Sequence, residues 1–120
     1  MADMTLGTVE AKFADIIWGC EPLSSSELSK KAENELGWKK TTSFTVLKRL
    51  CDKGIFKNEK GTVTSLVSRD DFYSMQSERF VEETFQGSLP AFLAAFTGRK
   101  KLSKKEVEEL KRFVNDYEGE

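Results

Sequence analysis

A mainly α chain with one small β-hairpin is what three features of the sequence predict. Apolar residues recur at three- and four-residue spacing through most of the 120 residues. Serine caps and glycine stops punctuate those stretches. Only after Gly54 does the period change, and there a β-branched run, Thr62 to Ser68, replaces the helical pattern.

The elements follow in order. Thr8 is the expected cap of a first helix, and Glu10 in its first turn favours the positive helix end. Phe13, Ile16, Ile17 and Cys20 mark one face with Trp18 beside it, and Gly19 and Pro22 stop it. Ser24 to Glu27, SSSE, is a capping box for a second helix running to about Leu36, with Leu28 and Ala32 inward and Gly37 closing it. A third helix spans Lys40 to about Lys53. Val46, Leu47, Leu50 and Cys51 form its inner stripe and Gly54 its C-terminal cap. Ile55 and Phe56 open a strand, Lys57, Asn58, Glu59, Lys60 and Gly61 follow, and Thr62 to Ser68 return, which makes a hairpin with a charged, glycine-containing tip.

Asp70 or Asp71 is the expected cap of a long helix carrying Phe72, Met75, Phe80, Val81 and Phe85, ended by Gln86-Gly87. Ser88-Leu89-Pro90 starts another, strongly apolar through Leu89, Phe92, Leu93 and Phe96. After a polar break, Ser103 to Glu106, SKKE, opens a last helix with the stripe Val107, Leu110, Phe113, Val114 and Tyr117. Gly119-Glu120 is expected to fray.

Three short helices followed by a two-stranded hairpin is the winged helix-turn-helix order. The predicted organisation is therefore a winged domain over residues 1–68 and a helical region over residues 69–120. Six phenylalanines, Phe72, Phe80, Phe85, Phe92, Phe96 and Phe113, lie beyond the wing. Three short helices are too few to bury them well. Paired tails in a homodimer would cover them, and so would a tail folded back on its own winged domain. The dimer reading places Phe72, Phe80, Phe85, Leu89, Phe92, Leu93, Phe96, Leu110, Phe113 and Val114 at the interface. Two-fold pairing also suits paired DNA half-sites.

The third helix has a second face. Lys40, Thr41, Thr42, Thr45, Lys48 and Arg49 fall largely opposite the apolar stripe. Small hydroxyls and bases projecting outward suit the major groove of double-stranded DNA, where hydroxyls bond phosphates or base edges and cations neutralise the backbone. An ordinary amphipathic helix would look the same from this segment alone. The charge distribution adds to the reading. Net charge is only -1. From Leu36 to Lys60, however, Lys39, Lys40, Lys48, Arg49, Lys53, Lys57 and Lys60 face only Asp52 and Glu59, so that segment carries about +5 and the remainder about -6. Lys57 and Lys60 are the wing's candidate phosphate contacts. The weakly acidic total also fits a winged-helix module that binds protein instead of DNA.

Other classes are excluded or disfavoured. Histidine is absent, which removes the usual general base and metal ligand. No phosphate loop, paired-acid or nucleophile pattern stands out, so an enzyme is not expected. Cys20 and Cys51 have no metal-site or disulfide spacing, and neither a metal nor a cofactor is expected. No run of 18 apolar residues and no basic-then-apolar leader occurs, which predicts a cytoplasmic location without a membrane partner.

With these elements placed, the chain resembles the penicillinase-repressor family of bacterial winged-helix regulators, the BlaI/MecI type. The residues that carry the likeness are Glu10, Ile16-Ile17-Trp18, Trp38 and TTSFTVLKRLCDKG from Thr41 to Gly54. FQGSLPAFLAAF from Phe85 to Phe96 and LSKKEVEEL from Leu102 to Leu110 resemble the family tail. The likeness runs from about Leu6 to Tyr117. It implies a homodimeric repressor at a dyad-symmetric operator, with Thr41, Thr42, Thr45, Lys48 and Arg49 in the recognition helix. It also implies release by a regulatory protease that cuts the tail, commonly at an Asn-Phe bond. The matching bond here is Ala95–Phe96, and Ala95 departs from that pattern. Thr62, Leu66 and Ser68 replace the family's wing arginine and aromatic-proline ending. Ser43 stands where an aliphatic residue is usual. Copper-responsive relatives carry tail cysteines, and this tail has none.

Overall fold

The structure, a computed structural model, describes residues 5–117. The expected fraying at Gly119-Glu120 lies outside the described residues. The order is α1 (Thr8–Cys20), β1 (Leu23–Ser24), α2 (Ser25–Leu36), α3 (Lys40–Asp52), β2 (Phe56–Glu59), β3 (Thr62–Ser65), α4 (Arg69–Phe85), α5 (Leu89–Thr97) and α6 (Lys104–Asp116). This is a mainly helical chain with a small antiparallel sheet in winged-helix order. The chain divides into two compact units, one ending at Ser77 and one beginning at Glu78. The boundary falls inside α4, later than the 68/69 division expected from sequence.

In the first unit, α1 starts one position earlier than its expected cap. Gly7 is the cap residue and Thr8 is already helical. Gly7 has no side chain to offer, so only half of a capping box forms: its N–H donates to Glu10 Oε1 at 3.1 Å. The α2 box is complete. Ser24 Oγ accepts from the Glu27 N–H at 3.0 Å, and Glu27 Oε1 accepts from the Ser24 N–H at 3.3 Å. Gly37 ends α2 at φ +70°, the left-handed conformation that only a residue without Cβ takes freely.

The core is one cluster. Phe13, Ala14 and Ile17 of α1 meet Leu28 and Ala32 of α2, Val46, Leu47 and Leu50 of α3, and Ile55, Phe56 and Val63 of the hairpin. Removing each large side chain from water contributes roughly 1.5–3 kcal/mol. Cys20, which the sequence allows to be either packed or partly exposed, is exposed, because the helix ends there and Glu21 already leaves it. Cys51 is half-buried at the margin of the cluster.

The hairpin pairs Phe56 with Ser65 and Glu59 with Thr62 across a two-residue turn, Lys60-Gly61. Both turn residues have positive φ, 52° and 87°, the geometry whose twist matches paired strands. The return strand ends at Ser65, short of the expected Ser68. Beyond it the N–H groups of Leu66 and Val67 both turn onto the Ile55 carbonyl. A short strand not expected from sequence, β1, adds to the other side of β3 through Leu23 opposite Val63. The Glu21 carboxylate accepts the Ser65 N–H at 2.7 Å and the Ser65 hydroxyl at 2.8 Å, which ties the end of α1 to the wing.

The first turns of α4 belong to this unit. Ser68, rather than an aspartate, caps the helix: its Oγ accepts the Asp71 N–H at 3.1 Å. Phe72 is fully buried and packs on Trp18, with ring centroids 5.6 Å apart. The Trp18 Nε1–H donates to the Val67 carbonyl at 3.0 Å, fixing the indole between the wing and α4. Phe72 is thus a core residue and not available to a partner chain, a correction to its expected place at the dimer interface.

The second unit holds the rest of α4 with α5 and α6. Gln86 and Gly87 turn the chain with positive φ, and Ser88 Oγ caps α5 by accepting the Ala91 N–H at 3.1 Å. Phe80, Phe85 and Phe92 meet edge to face at 5.7–6.0 Å. Ser103 and Glu106 form the capping box of α6. No described side chain from Glu78 onward is buried.

Candidate nucleic-acid interface

The inward residues of α3 fix which residues face out. Ser43, Val46, Leu47 and Leu50 are buried, so Lys40, Thr41, Thr42, Phe44, Thr45, Lys48 and Arg49 are exposed on the other side. No side chain caps the N-terminus of α3, so its first-turn N–H groups add positive potential at the Lys39-Lys40 end.

These exposed groups are not equivalent. Thr45 Oγ1 donates back to the Thr41 carbonyl at 2.9 Å. Its proton is therefore used, and what it presents outward is a methyl and oxygen lone pairs. Thr41 and Thr42, one turn earlier, are exposed. Lys40 stands 5.6 Å over the ring of Phe44. Phe44 was not singled out in the sequence, yet it lines a cleft of about 260 Å³ with Leu47, Lys48, Cys51 and Asn58. It lies one residue from Thr45 between two inward positions, so the helical period alone could have flagged it. Burial, with Asp52 nearby, pushes the Cys51 thiol up, which makes it a poor nucleophile at neutral pH.

Several cations already have intramolecular partners. Lys48 is 3.3 Å from Asp52, Lys57 is 3.2 Å from Glu59, and Arg49 is 3.2 Å from Glu10. Lys53 reaches Glu10 at 3.6 Å and the Thr5 carbonyl at 2.7 Å. The Gly7 N–H, helped by Arg49 and Lys53, holds the Glu10 carboxyl below the ordinary carboxylate range against its partial burial. Lys40 and Lys60 have no carboxylate within 4.0 Å among the described residues, and Lys60 stands at the wing tip. The structure thus brings Lys40, Thr41, Thr42, Thr45 and Lys48 together on α3. Lys57 and Lys60 lie on the hairpin, and Arg49 is turned toward α1.

Residues 6–116 match the family described as penicillinase repressor. The chain belongs to this family. Penicillinase-repressor relatives include the methicillin resistance regulatory protein MecI of Staphylococcus aureus (strain Mu50 / ATCC 700699), 25% identical over 114 residues, covering 92% of this chain and 93% of that protein. The penicillinase repressor of Staphylococcus aureus is 26% identical over 106 residues, covering 85% and 84%. That of Bacillus licheniformis is 24% identical over 118 residues, covering 95% and 92%. Members of the penicillinase-repressor family are bacterial transcriptional repressors and not enzymes. No helix among the described residues is long and apolar enough to cross a membrane.

Within this penicillinase-repressor chain the remaining tail residues are placed as follows. Phe80, Leu89, Leu93, Phe96, Leu110, Phe113 and Val114 are exposed, and Phe85 and Phe92 are half-buried. On α6, Val107, Leu110 and Val114 line an open groove with Leu102. Ala95–Phe96 lies in the last turn of α5. The Gly98 N–H bonds the Ala94 and Ala95 carbonyls there, so the backbone at this bond is helical rather than extended.

Proposed function

We propose that this repressor is a homodimer that binds a dyad-symmetric DNA operator in the cytoplasm, laying α3 of each protomer in the major groove. One observation carries the reading: the exposed Lys40, Thr41, Thr42, Thr45 and Lys48 face of α3 is held outward by buried Val46, Leu47 and Leu50. Lys57 and Lys60 on the wing are proposed phosphate contacts. The unburied apolar faces of α5 and α6 support pairing of the tails, since a second copy is what would remove Phe113 and Val114, 64% and 67% exposed, from water.

Selection of bound duplexes from a random pool tests the reading. Enrichment of a palindrome with half-sites about one or more helical turns apart is expected. A pool that stays random refutes it. If six to eight phosphates are neutralised per dimer, affinity should fall with a log–log salt slope of roughly -5 to -7. A protein-binding module is the second reading. The intramolecular pairing of Lys48, Arg49, Lys53 and Lys57 favours it, and a salt slope near zero would select it.

A further inference from the structure

We propose that Glu10 is a positioning residue that sets sequence discrimination by keeping Arg49 and Lys53 folded onto α1 and out of contact with phosphate. This rests on the DNA-binding reading above and refines which cations serve it. By helical spacing Arg49 continues the outward row of Thr42 and Thr45. The structure turns it instead to an acid 39 positions earlier in the chain, Nη1 to Glu10 Oε2 at 3.2 Å. Lys53, one turn further, points to the other oxygen, Glu10 Oε1, at 3.6 Å, and its Nζ also donates to the Thr5 carbonyl.

The acid is fixed in place before it meets either cation. Its Oε1 accepts the Gly7 N–H in the half capping box of α1. Glu10 and Lys53 are shielded, with side chains 18% and 17% exposed, while Arg49 is 53% exposed. One carboxylate therefore occupies two cations with the charge a phosphate would otherwise offer them.

The chemistry gives this arrangement a consequence. Phosphate contacts carry affinity but no sequence information. Two further mobile cations per protomer would strengthen binding to every duplex and so narrow the margin for the right one. Neutralising Glu10 frees them, and each freed cation that finds a phosphate adds about 0.9 to the magnitude of the salt slope.

The test compares the full chain and its variants on the selected operator and on a scrambled duplex across a salt series. Glu10→Gln should steepen the slope on scrambled DNA by about 2–4 per dimer and reduce the operator-to-scrambled affinity ratio at least about tenfold. The triple variant E10Q/R49Q/K53Q should return both quantities toward wild type, a rescue that loss of a purely structural contact would not show. Arg49→Gln alone should leave the wild-type slope unchanged, whereas Lys40→Gln should reduce its magnitude by about 2 per dimer. An Arg49→Gln slope that falls as far as that of Lys40→Gln overturns the proposal, and this arm decides even if Glu10→Gln does not fold. An unchanged slope in a folded Glu10→Gln overturns it too. Wild-type protein that fails to distinguish operator from scrambled duplex defeats the DNA-binding reading itself.

Discussion

Ser43 is 2% exposed on the inner side of α3, and its hydroxyl has no hydrogen-bond partner. A buried unpaired hydroxyl is unfavourable, and serine is a weaker helix former than alanine. Ser43→Ala should therefore raise stability by about 1 kcal/mol, seen as a higher urea midpoint with unchanged slope. A lower midpoint would show that the hydroxyl has a role the geometry does not reveal. Thr45 is the opposite case, an exposed residue whose methyl and lone pairs face out. Thr45→Glu puts a negative charge beside the proposed phosphates and groove. Operator affinity should fall by about 10–100-fold in a filter-binding titration while the fold is kept. At Glu10 the folded carboxyl titrates below its ordinary value. The stabilisation it supplies is therefore present above the unfolded-state value and lost as pH falls through the folded one. The urea-midpoint gap between wild type and Glu10→Gln should shrink from pH 7 to about pH 3. A gap of constant size would separate Glu10 from any such titration.

At the scale of elements, local chemistry made some boundaries readable in advance and left others hidden. The Ser24/Glu27 and Ser103/Glu106 boxes act over three residues, so α2 and α6 begin where their sequences say. The two residues of β1 carry no pattern of their own. That strand exists because β3 offers Leu23 a partner about forty positions later. Periodicity put Phe72 on the same helix as Phe80 and Phe85, but spacing states a face and not what the face meets. Phe72 meets Trp18, while Phe80 meets Phe85 and Phe92. Arg49 shows the same limit of spacing: it lies in the outward row, and the acid it meets, Glu10, belongs to another helix. The wing tip was legible as a glycine turn. Gly61 sits at φ +87°, where any L side chain is strained. Gly61→Ala should cost about 1 kcal/mol or more in thermal unfolding, and a neutral result would mean the turn relaxes to another form.

At the scale of the whole molecule, the two units differ in how much they bury. The unit ending at Ser77 contains every buried side chain described, and the unit from Glu78 has none. If a second copy buries that surface, as proposed, the stability of this unit depends on concentration. Phe96→Asp or Phe113→Asp should convert dimers to monomers in sedimentation and weaken operator binding with them. An unchanged sedimentation coefficient would place the pairing surface elsewhere. The family resemblance read from Thr41–Gly54 and Phe85–Phe96 agrees with the family match over residues 6–116. What it left open, the partners chosen by individual charged and aromatic side chains, depends on contacts across tens of residues of chain.

Trp18 is wedged between wing and α4, Trp38 stacks on Phe13 at 5.0 Å, and the chain has no other tryptophan. Indole emission therefore reports on the first unit alone and is blind to the second, whereas far-ultraviolet dichroism sees the helices of both. Recorded together on one heated or diluted sample, the two signals would separate melting of the tail from melting of the winged domain without any label being introduced.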